Sequence, residues 1–263
     1  MQPNKIVTLT TDFGQAGNYT GAVKGVLLGI NPQITIVDIT HEISPFNVLE
    51  AALLLNSFYQ FFPRGTIHLA VVDPGVGGKR KGILIRTDDY FFVGPDNGIF
   101  SFIYDQEKVR EMVNLTNSKY FLCRPSSTFH ARDIFAPVSG YLSLGVKPGV
   151  FGSPTHDCYK FKLPEPVYRN DYLMGEIILI DRFGNLITNI SSDLIPDESQ
   201  VQVRVKNKTI NHLSQYYEEE KKRRLLALIG SNNFLEIAVN QGSAQKFLKA
   251  KTGDEVKIEN IKG

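Results

Sequence analysis

The chain has 263 residues, of which 42% are hydrophobic and 21% charged, an ordinary globular composition that allows one or two domains. Its formal net charge is only +2, whereas nucleic-acid binders usually carry a strongly basic face, so we expect no nucleic-acid partner. No apolar run has the length of a signal peptide or a membrane span, so we expect a cytoplasmic protein with no membrane partner.

The first half of the sequence alternates strand and helix patterns. Strands are predicted over residues 6–11, 34–39 and 66–72, and helices over residues 19–30 and from Ser44-Pro45, as N-cap and first turn, to about residue 62. Residues 82–86 and 90–93 predict a hairpin, and Thr128 is expected to cap a helix running from residue 131 towards residue 144. This alternation predicts an α/β domain with a mostly parallel sheet.

The pattern changes after Leu163-Pro164-Glu165-Pro166 to a series of short strands. We predict strands over residues 176–180, 186–190, 201–205, 225–229, 235–239 and 256–261, with one helix over residues 243–248. This pattern indicates a smaller all-β domain, barrel-like in form. The stretch over residues 163–172 is the natural boundary, which gives domains over residues 1–165 and 172–263.

Three ionisable residues in two short segments are the leading candidates for catalysis. Asp73 and Arg80 lie in VVDPGVGGKR, and His130 lies in STFHARD. An Asp, an Arg and a His can together position and polarise a water molecule. Asp73, like Asp12 after the first strand, falls where ligands gather in open sheets, although an Asp before Gly or Pro also commonly caps a turn. We interpret the chain as an enzyme.

Other catalytic motifs find little support. The segment GVGGKR lacks the first glycine of a phosphate loop and has Arg80 where such a loop needs Ser or Thr. The histidines show neither HExxH nor i,i+4 pairing, and Cys123 and Cys158 have no CxxC spacing, so we expect no metal site. A serine hydrolase is not supported either, because the chain has no GxSxG elbow.

Six segments in order along both domains resemble one family. They are TLTTDFG at residue 8, VDPGVG at residue 72, GPDNG at residue 94, TFHARDIFAP at residue 128, DRFGN at residue 181 and LEIAVN at residue 235. Together they closely resemble the S-adenosyl-L-methionine hydroxide adenosyltransferases, relatives of the bacterial fluorinase and chlorinase. The resemblance spans nearly the whole chain.

The resemblance implies an N-terminal α/β domain, a C-terminal β-barrel and a homotrimer whose active sites lie between the N-terminal domain of one subunit and the C-terminal domain of its neighbour. It implies that S-adenosyl-L-methionine (SAM) is the substrate and that no cofactor is needed. Hydroxide derived from water would attack the ribose C5′ and displace methionine, giving adenosine and L-methionine. The leaving group is a neutral thioether, so no general acid is required.

Roles for individual residues follow from the resemblance. Arg80 would hold hydroxide, Asp73 would pair with Arg80 or accept from the water, and His130 would orient the water or take its proton, with the proton acceptor left open. Seven further positions match substrate contacts: Asp12 for the ribose hydroxyls, Phe46 for the ribose and sulfonium region, Asp181 for the methionine ammonium, Ser231 for the methionine carboxylate, Phe183 and Asn185 for the adenine pocket, and Tyr216, with Tyr217 as alternative, for adenine stacking.

The sequence departs from the family pattern at two places, and two other functions stay open. Gly17-Asn18-Tyr19 replaces a stretch that often carries an acid in the family. Ala131, preceded by His130, stands where the fluorinase has a serine preceded by a tyrosine, which favours hydroxide over halide. The alternatives are a halide-dependent, chlorinase-like adenosyl transferase and a non-catalytic protein that senses SAM or adenosine.

Overall fold

The computed structural model describes residues 1–169, 172–195 and 201–260. The chain divides into two compact units, Met1–Phe161 and Lys162–Gly263. Each unit has a hydrophobic core of its own. No helix within the described ranges combines the length and apolar composition that a bilayer crossing requires.

The N-terminal unit is a three-layer α/β structure. Its elements are β1 (Ile6–Thr11), α1 (Tyr19–Ile30), β2 (Thr35–Thr40), α2 (Val48–Phe58), β3 (Ile67–Val71), β4 (Gly82–Arg86), β5 (Phe91–Pro95), α3 (Ser101–Gln106), β6 (Glu111–Leu115), α4 (Ala136–Ser143) and β7 (Gly152–Pro154). Seven described strands form one sheet in the order β2-β1-β3-β5-β4-β6-β7. The first four in that order are mutually parallel and the other three are antiparallel to their neighbours.

Helices cover both faces of this sheet because its central strands are apolar on both sides. Leu69 and Val71 of β3 pack in the cluster that includes residues of α1 and α4, whereas Ala70 packs in the cluster that includes residues of α2 and α3. Strands buried on both faces are typical of parallel sheets. The predicted α/β class is confirmed, and the sheet is mixed at its β4–β7 edge.

The C-terminal unit is an antiparallel, nearly closed barrel. Its elements are β8 (Val167–Arg169), β9 (Tyr172–Ile180), β10 (Leu186–Ser191), β11 (Val201–Val205), β12 (Lys208–Ile210), β13 (Leu225–Ile229), β14 (Phe234–Val239), α5 (Ala244–Leu248) and β15 (Glu255–Asn260). The described strands follow the path β12-β11-β15-β9-β10-β14-β13, with β8 on β9. Alternate apolar residues of its strands pack together in one core, and this confirms the predicted barrel-like class.

Several predicted boundaries were wrong. Asn47, not Ser44, caps α2, because its side chain accepts a hydrogen bond from the Glu50 amide. Thr128 caps no helix; its hydroxyl pairs with Ser126. The structure places β15 at Glu255–Asn260, and Ile261 of the predicted last strand lies outside the described residues.

Candidate active site

A cavity of about 370 Å³ opens where β1 and β3 end. Its size falls within the range of roughly 300–1,000 Å³ that is typical of small-molecule sites. Two carboxylates, Asp12 and Asp73, stand among the aromatic rings of Phe13, Tyr19, Phe46 and Phe129 along its wall. The site therefore lies at the carboxyl edge of the sheet, where open α/β sheets bind their ligands.

Asp73 and Arg80 form a shielded ion pair beside this cavity. Asp73 lies two residues beyond β3, and Nη2 of Arg80 is 2.5 Å from its Oδ2, while Nε is 3.0 Å from both carboxylate oxygens. The two side chains are 6% and 11% exposed. Because water is largely excluded, the pair interacts more strongly than a surface pair would, and its geometry is fixed.

His130 joins this pair through the same guanidinium nitrogen. Nη2 of Arg80 lies 2.7 Å from Nδ1 of His130. A guanidinium can only donate hydrogen bonds, so Nδ1 must accept, and the neutral ring carries its proton on Nε2. Burial, and next the positive charge of Arg80, lower the pKa of His130 below its ordinary value. His130 is therefore a neutral imidazole whose remaining nitrogen is a donor.

Close approach of two loops brings these residues together although 50 positions separate Arg80 from His130 in the chain. Gly77 has a φ of +76°, and a Cβ there would come within 2.0 Å of the Ser127 carbonyl oxygen. One turn of π-helix, Ala131–Phe135, follows His130, and the Arg80 guanidinium lies 5.3 Å from the centre of the Phe135 ring. Such π-helical turns are frequent at functional sites.

Asp12 and Phe46 line the same cavity and contact each other. The Phe46 amide donates to Oδ2 of Asp12 at 3.0 Å. Phe46 has a φ of +66°, a strained conformation for a residue with a side chain, and the residue is 70% exposed. The five candidates in the N-terminal unit are thus brought to one place.

In the C-terminal unit, Asp181 organises the turn between β9 and β10. Its Oδ1 accepts from the amides of Phe183 and Asn185 at 2.8 Å, and its Oδ2 accepts from the Asn185 side chain at 3.0 Å. Phe183 is 78% exposed. A carboxylate has about four acceptor positions, so three such bonds leave capacity for a ligand.

Glu236 is a buried carboxylate of the C-terminal unit for which the sequence predicted no role. It lies on β14, where the Tyr217 hydroxyl donates to its Oε1 at 2.7 Å. Two predicted substrate contacts of the same unit, Tyr216 and Ser231, are exposed. Burial, reinforced by the charge of Asp181, raises the pKa of Glu236 despite the hydrogen bond from Tyr217. A single charged residue inside the apolar strand LEIAVN was the available clue.

The donor sets of the described residues do not suggest a metal centre. Within those residues, no group of three or more His, Cys, Asp and Glu side chains is arranged to hold a metal ion. The polar groups at the cavity are instead paired with one another, as in the contacts of Arg80 with Asp73 and His130.

The fold and the cavity define a two-unit protein whose N-terminal unit holds a carboxylate, an imidazole and a guanidinium together at the carboxyl edge of an α/β sheet. Residues 7–152 match the family model for the SAM hydroxide adenosyltransferase N-terminal domain, and residues 175–257 match the model for the C-terminal domain. The chain belongs to the SAM hydroxide adenosyltransferase family, which confirms the family resemblance.

Named relatives and solved structures agree with this membership. A protein from Methanocaldococcus jannaschii named (R)-S-adenosyl-L-methionine hydrolase is 37% identical over 96% of this chain and 95% of its own length. A fluorinase from an Actinoplanes species is 27% identical over 71% of this chain and 72% of its own length. The crystal structure of an uncharacterized conserved protein from Thermotoga maritima matches with a TM-score of 0.88 and 39% identity, covering 97% of this chain and all of that one.

Proposed function

We propose that the protein hydrolyses SAM to adenosine and L-methionine by attack of water-derived hydroxide on the ribose C5′. The observation that carries this proposal is the shielded contact of Arg80 with both Asp73 and His130 at the edge of a cavity that also holds Asp12. The relatives that cover nearly the whole chain are named for hydrolysis of this compound, which supports the same reaction.

The reaction is a substitution in line with the bond from C5′ to sulfur. The water oxygen forms a bond to C5′ as the bond from C5′ to sulfur breaks, and that electron pair returns to sulfur as the neutral thioether of methionine. One water proton leaves. In a cavity that excludes bulk water, hydroxide and sulfonium attract far more strongly than the roughly 1 kcal/mol left at contact distance in water.

The hydrogen bonds of the three residues favour a division of roles. Nδ1 of His130 accepts from Arg80, so the ring has no lone pair for a proton while that bond holds; its Nε2–H would instead donate to the water oxygen. Asp73 is then the proton acceptor, through the acceptor capacity that Arg80 leaves. Arg80 stays protonated and stabilises the negative charge that develops on oxygen.

The substrate contacts are part of the proposal. In the N-terminal unit, Asp12 would accept from the two ribose hydroxyls, and the exposed ring of Phe46 would face the ribose and the sulfonium. In the C-terminal unit, we assign the methionine ammonium to Asp181, its carboxylate to Ser231, and the adenine to Phe183, Asn185 and Tyr216, with Tyr217 as the alternative stacking ring. No cofactor takes part.

We also propose the assembly and location that the family resemblance implies. The protein would be a cytoplasmic homotrimer, and each active site would combine the catalytic residues of one subunit with the adenine and methionine contacts of its neighbour. Neither nucleic acid nor membrane would be a partner. The exposure of the Phe183 and Tyr216 rings supports such an arrangement, because a ligand or a neighbouring chain could cover them.

The decisive experiment incubates the purified protein with SAM in ¹⁸O-labelled water, with and without chloride, and analyses the nucleoside by mass spectrometry. Both sulfonium epimers are tested separately, since the relatives are named for the (R) form. Adenosine labelled at O5′ is the expected product. A 5′-chloro nucleoside would instead indicate a chlorinase-like transferase using the space at Ala131, and binding without turnover would indicate a sensor.

A further inference from the structure

Strand β1 carries two buried His–Thr pairs to which the proposed function assigns no role. In the middle of the strand, Oγ1 of Thr8 lies 2.9 Å from Nδ1 of His68. At its carboxyl end, Oγ1 of Thr11 lies 2.8 Å from Nδ1 of His41. All four residues are at most 2% exposed. The two pairs have the same chemistry but different positions relative to the cavity.

His41 holds both ends of the Asp12 loop, residues 11–14. Its ring contacts the Thr11 side chain, and its carbonyl oxygen accepts from the Gly14 amide at 2.7 Å. Asp12 and Phe13, which line the cavity, lie between these two contacts. The Phe13 amide also donates to Oγ1 of Thr11 at 3.3 Å, so the Thr11 hydroxyl takes part in a hydrogen bond inside the loop as well.

A carboxylate lies close to the other nitrogen of the His41 ring. Nε2 of His41 lies 3.1 Å from Oδ1 of Asp38, and Oδ2 of Asp38 is 2.5 Å from Nζ of Lys24 on α1. A carboxylate beside Nε2 favours the tautomer with its proton there. Nδ1 then accepts a hydrogen bond from the Thr11 hydroxyl, whose oxygen accepts in turn from the Phe13 amide.

We infer that His41 is a positioning residue: through its contact with the Thr11 hydroxyl, it fixes the Asp12 carboxylate and the Phe13 ring for binding of the ribose. The inference rests on the proposed function in one respect, because that function assigns the ribose to Asp12. The ligand class it concerns is a nucleoside with two adjacent ribose hydroxyls.

The test compares matched variants of the two pairs in the full-length protein. Thr11→Val removes the hydroxyl that His41 contacts, and Thr8→Val removes the equivalent hydroxyl from the His68 pair. We expect Thr11→Val to raise the KM for SAM and the Kd for adenosine about tenfold while kcat changes less than about threefold. Thr8→Val is expected to leave all three within about twofold, and Thr11→Ser to restore binding.

A second pair of variants covers the case in which Thr11→Val does not fold. The side-chain oxygen of His41→Asn can stand near the Nδ1 position and accept from Thr11, whereas His41→Leu cannot. His41→Asn is expected to bind adenosine more tightly than His41→Leu by about fivefold or more.

Two results would overturn the inference: unchanged adenosine affinity in both Thr11→Val and His41→Leu, or an equal loss in Thr8→Val, which would reveal a general effect of packing. Failure of the proposed function is distinguishable, since it would show as a wild-type protein without SAM turnover. Adenosine affinity, measured by calorimetry, does not depend on turnover and still decides the role of His41.

Discussion

At the scale of single residues, Arg80 connects two groups through one nitrogen. Its Nη2 reaches both Oδ2 of Asp73 and Nδ1 of His130. A lysine would keep the charge but lacks the planar fork that holds both partners. We expect Arg80→Lys to lower kcat for SAM hydrolysis about 100-fold while the Kd for adenosine stays within about threefold, measured by product chromatography and calorimetry.

Arg110 provides a matched control for this substitution. It makes a two-point pair with Asp88 on the protein surface, with Nε and Nη2 at 2.5 and 2.9 Å from the two carboxylate oxygens. Arg110→Lys is expected to leave kcat within about twofold, since exposed ion pairs contribute little. Equal losses of kcat and adenosine affinity in Arg80→Lys would contradict a role at the nucleophile.

The charge of His130 predicts how the rate depends on pH. Its working form is neutral, because a proton on Nδ1 would displace the Arg80 donor. Burial and then Arg80 lower its pKa from the ordinary 6.5, so the ring gains its second proton at a lower pH than a free imidazole does. We expect kcat/KM to fall in acidic buffer, with the midpoint of the fall below pH 6.5.

The pH profile of His130→Asn provides the check. Asparagine offers an oxygen to Arg80 at the Nδ1 position but does not titrate, so the variant is expected to be slower and to lack this acid limb. A limb centred above pH 6.5 in the wild type, or an unchanged limb in the variant, would show that another group controls the rate.

At the scale of elements, catalysis depends on how closely the loop after β3 approaches the segment before α4. Gly77 permits this approach through its positive φ and its missing side chain. In Gly77→Ala, the new Cβ would overlap the Ser127 carbonyl oxygen and push the Asp73 and His130 segments apart. We expect kcat/KM to fall tenfold or more, since misplacement by about 1 Å can cost 100-fold.

Gly145→Ala separates this effect from backbone strain. Gly145 has a φ of +88°, but a Cβ there would meet no atom within 4 Å. Both variants should lose about 1–2 kcal/mol of unfolding free energy from the left-handed conformation, and Gly145→Ala should keep its activity. Equal activity in the two variants, measured beside urea denaturation, would refute the importance of the loop contact.

Much of the fold could be predicted from the sequence, because the spacing of apolar residues within a single segment distinguishes a strand from a helix. The bounds of β1, α1, β11 and β13 agree with the predicted ranges. The start of α2 could not be predicted, because it depends on Phe46 adopting a positive φ, which the Asp12 carboxylate stabilises from a distant loop. Local capping rules do not contain such a contact.

Part of the candidate site could likewise be predicted from the sequence, and part could not. Residue chemistry was enough to select Asp73, Arg80 and His130, but the shared nitrogen that links them, and the tautomer it imposes, depend on two loops meeting in space. The contact of His41 with Thr11 could not be predicted either, because the parallel pairing of β1 with β2 brings the two residues together.

At the scale of the whole molecule, His68 makes stability depend on pH. It is fully buried among aromatic rings, and this burial lowers its pKa from 6.5 to about 3. Below pH 6.5 the unfolded chain binds a proton that the folded chain does not. The unfolding free energy should therefore fall by about 1.4 kcal/mol per pH unit between these values, a slope that His68→Gln should lack in urea titrations.

The proposed trimer predicts that two inactive variants restore activity when mixed. Arg80→Ala lacks the catalytic cation of the N-terminal unit, and Asn185→Ala lacks the proposed adenine contact of the C-terminal unit. If each site combines units from two neighbouring subunits, every mixed trimer has one intact site. Because three quarters of randomly assembled trimers are mixed, co-refolding equal amounts should recover about a quarter of the wild-type rate.

Co-refolding each variant with itself gives the baseline for that mixture, and light scattering reports its mass. Each variant must be inactive alone, and a wild-type sample taken through the same procedure gives the full rate. A trimer that regains no activity would mean that each site is built within one chain, because every site would then carry one of the two defects. A monomeric mass would contradict the assembly itself, whereas about a quarter of the rate requires two subunits at each site.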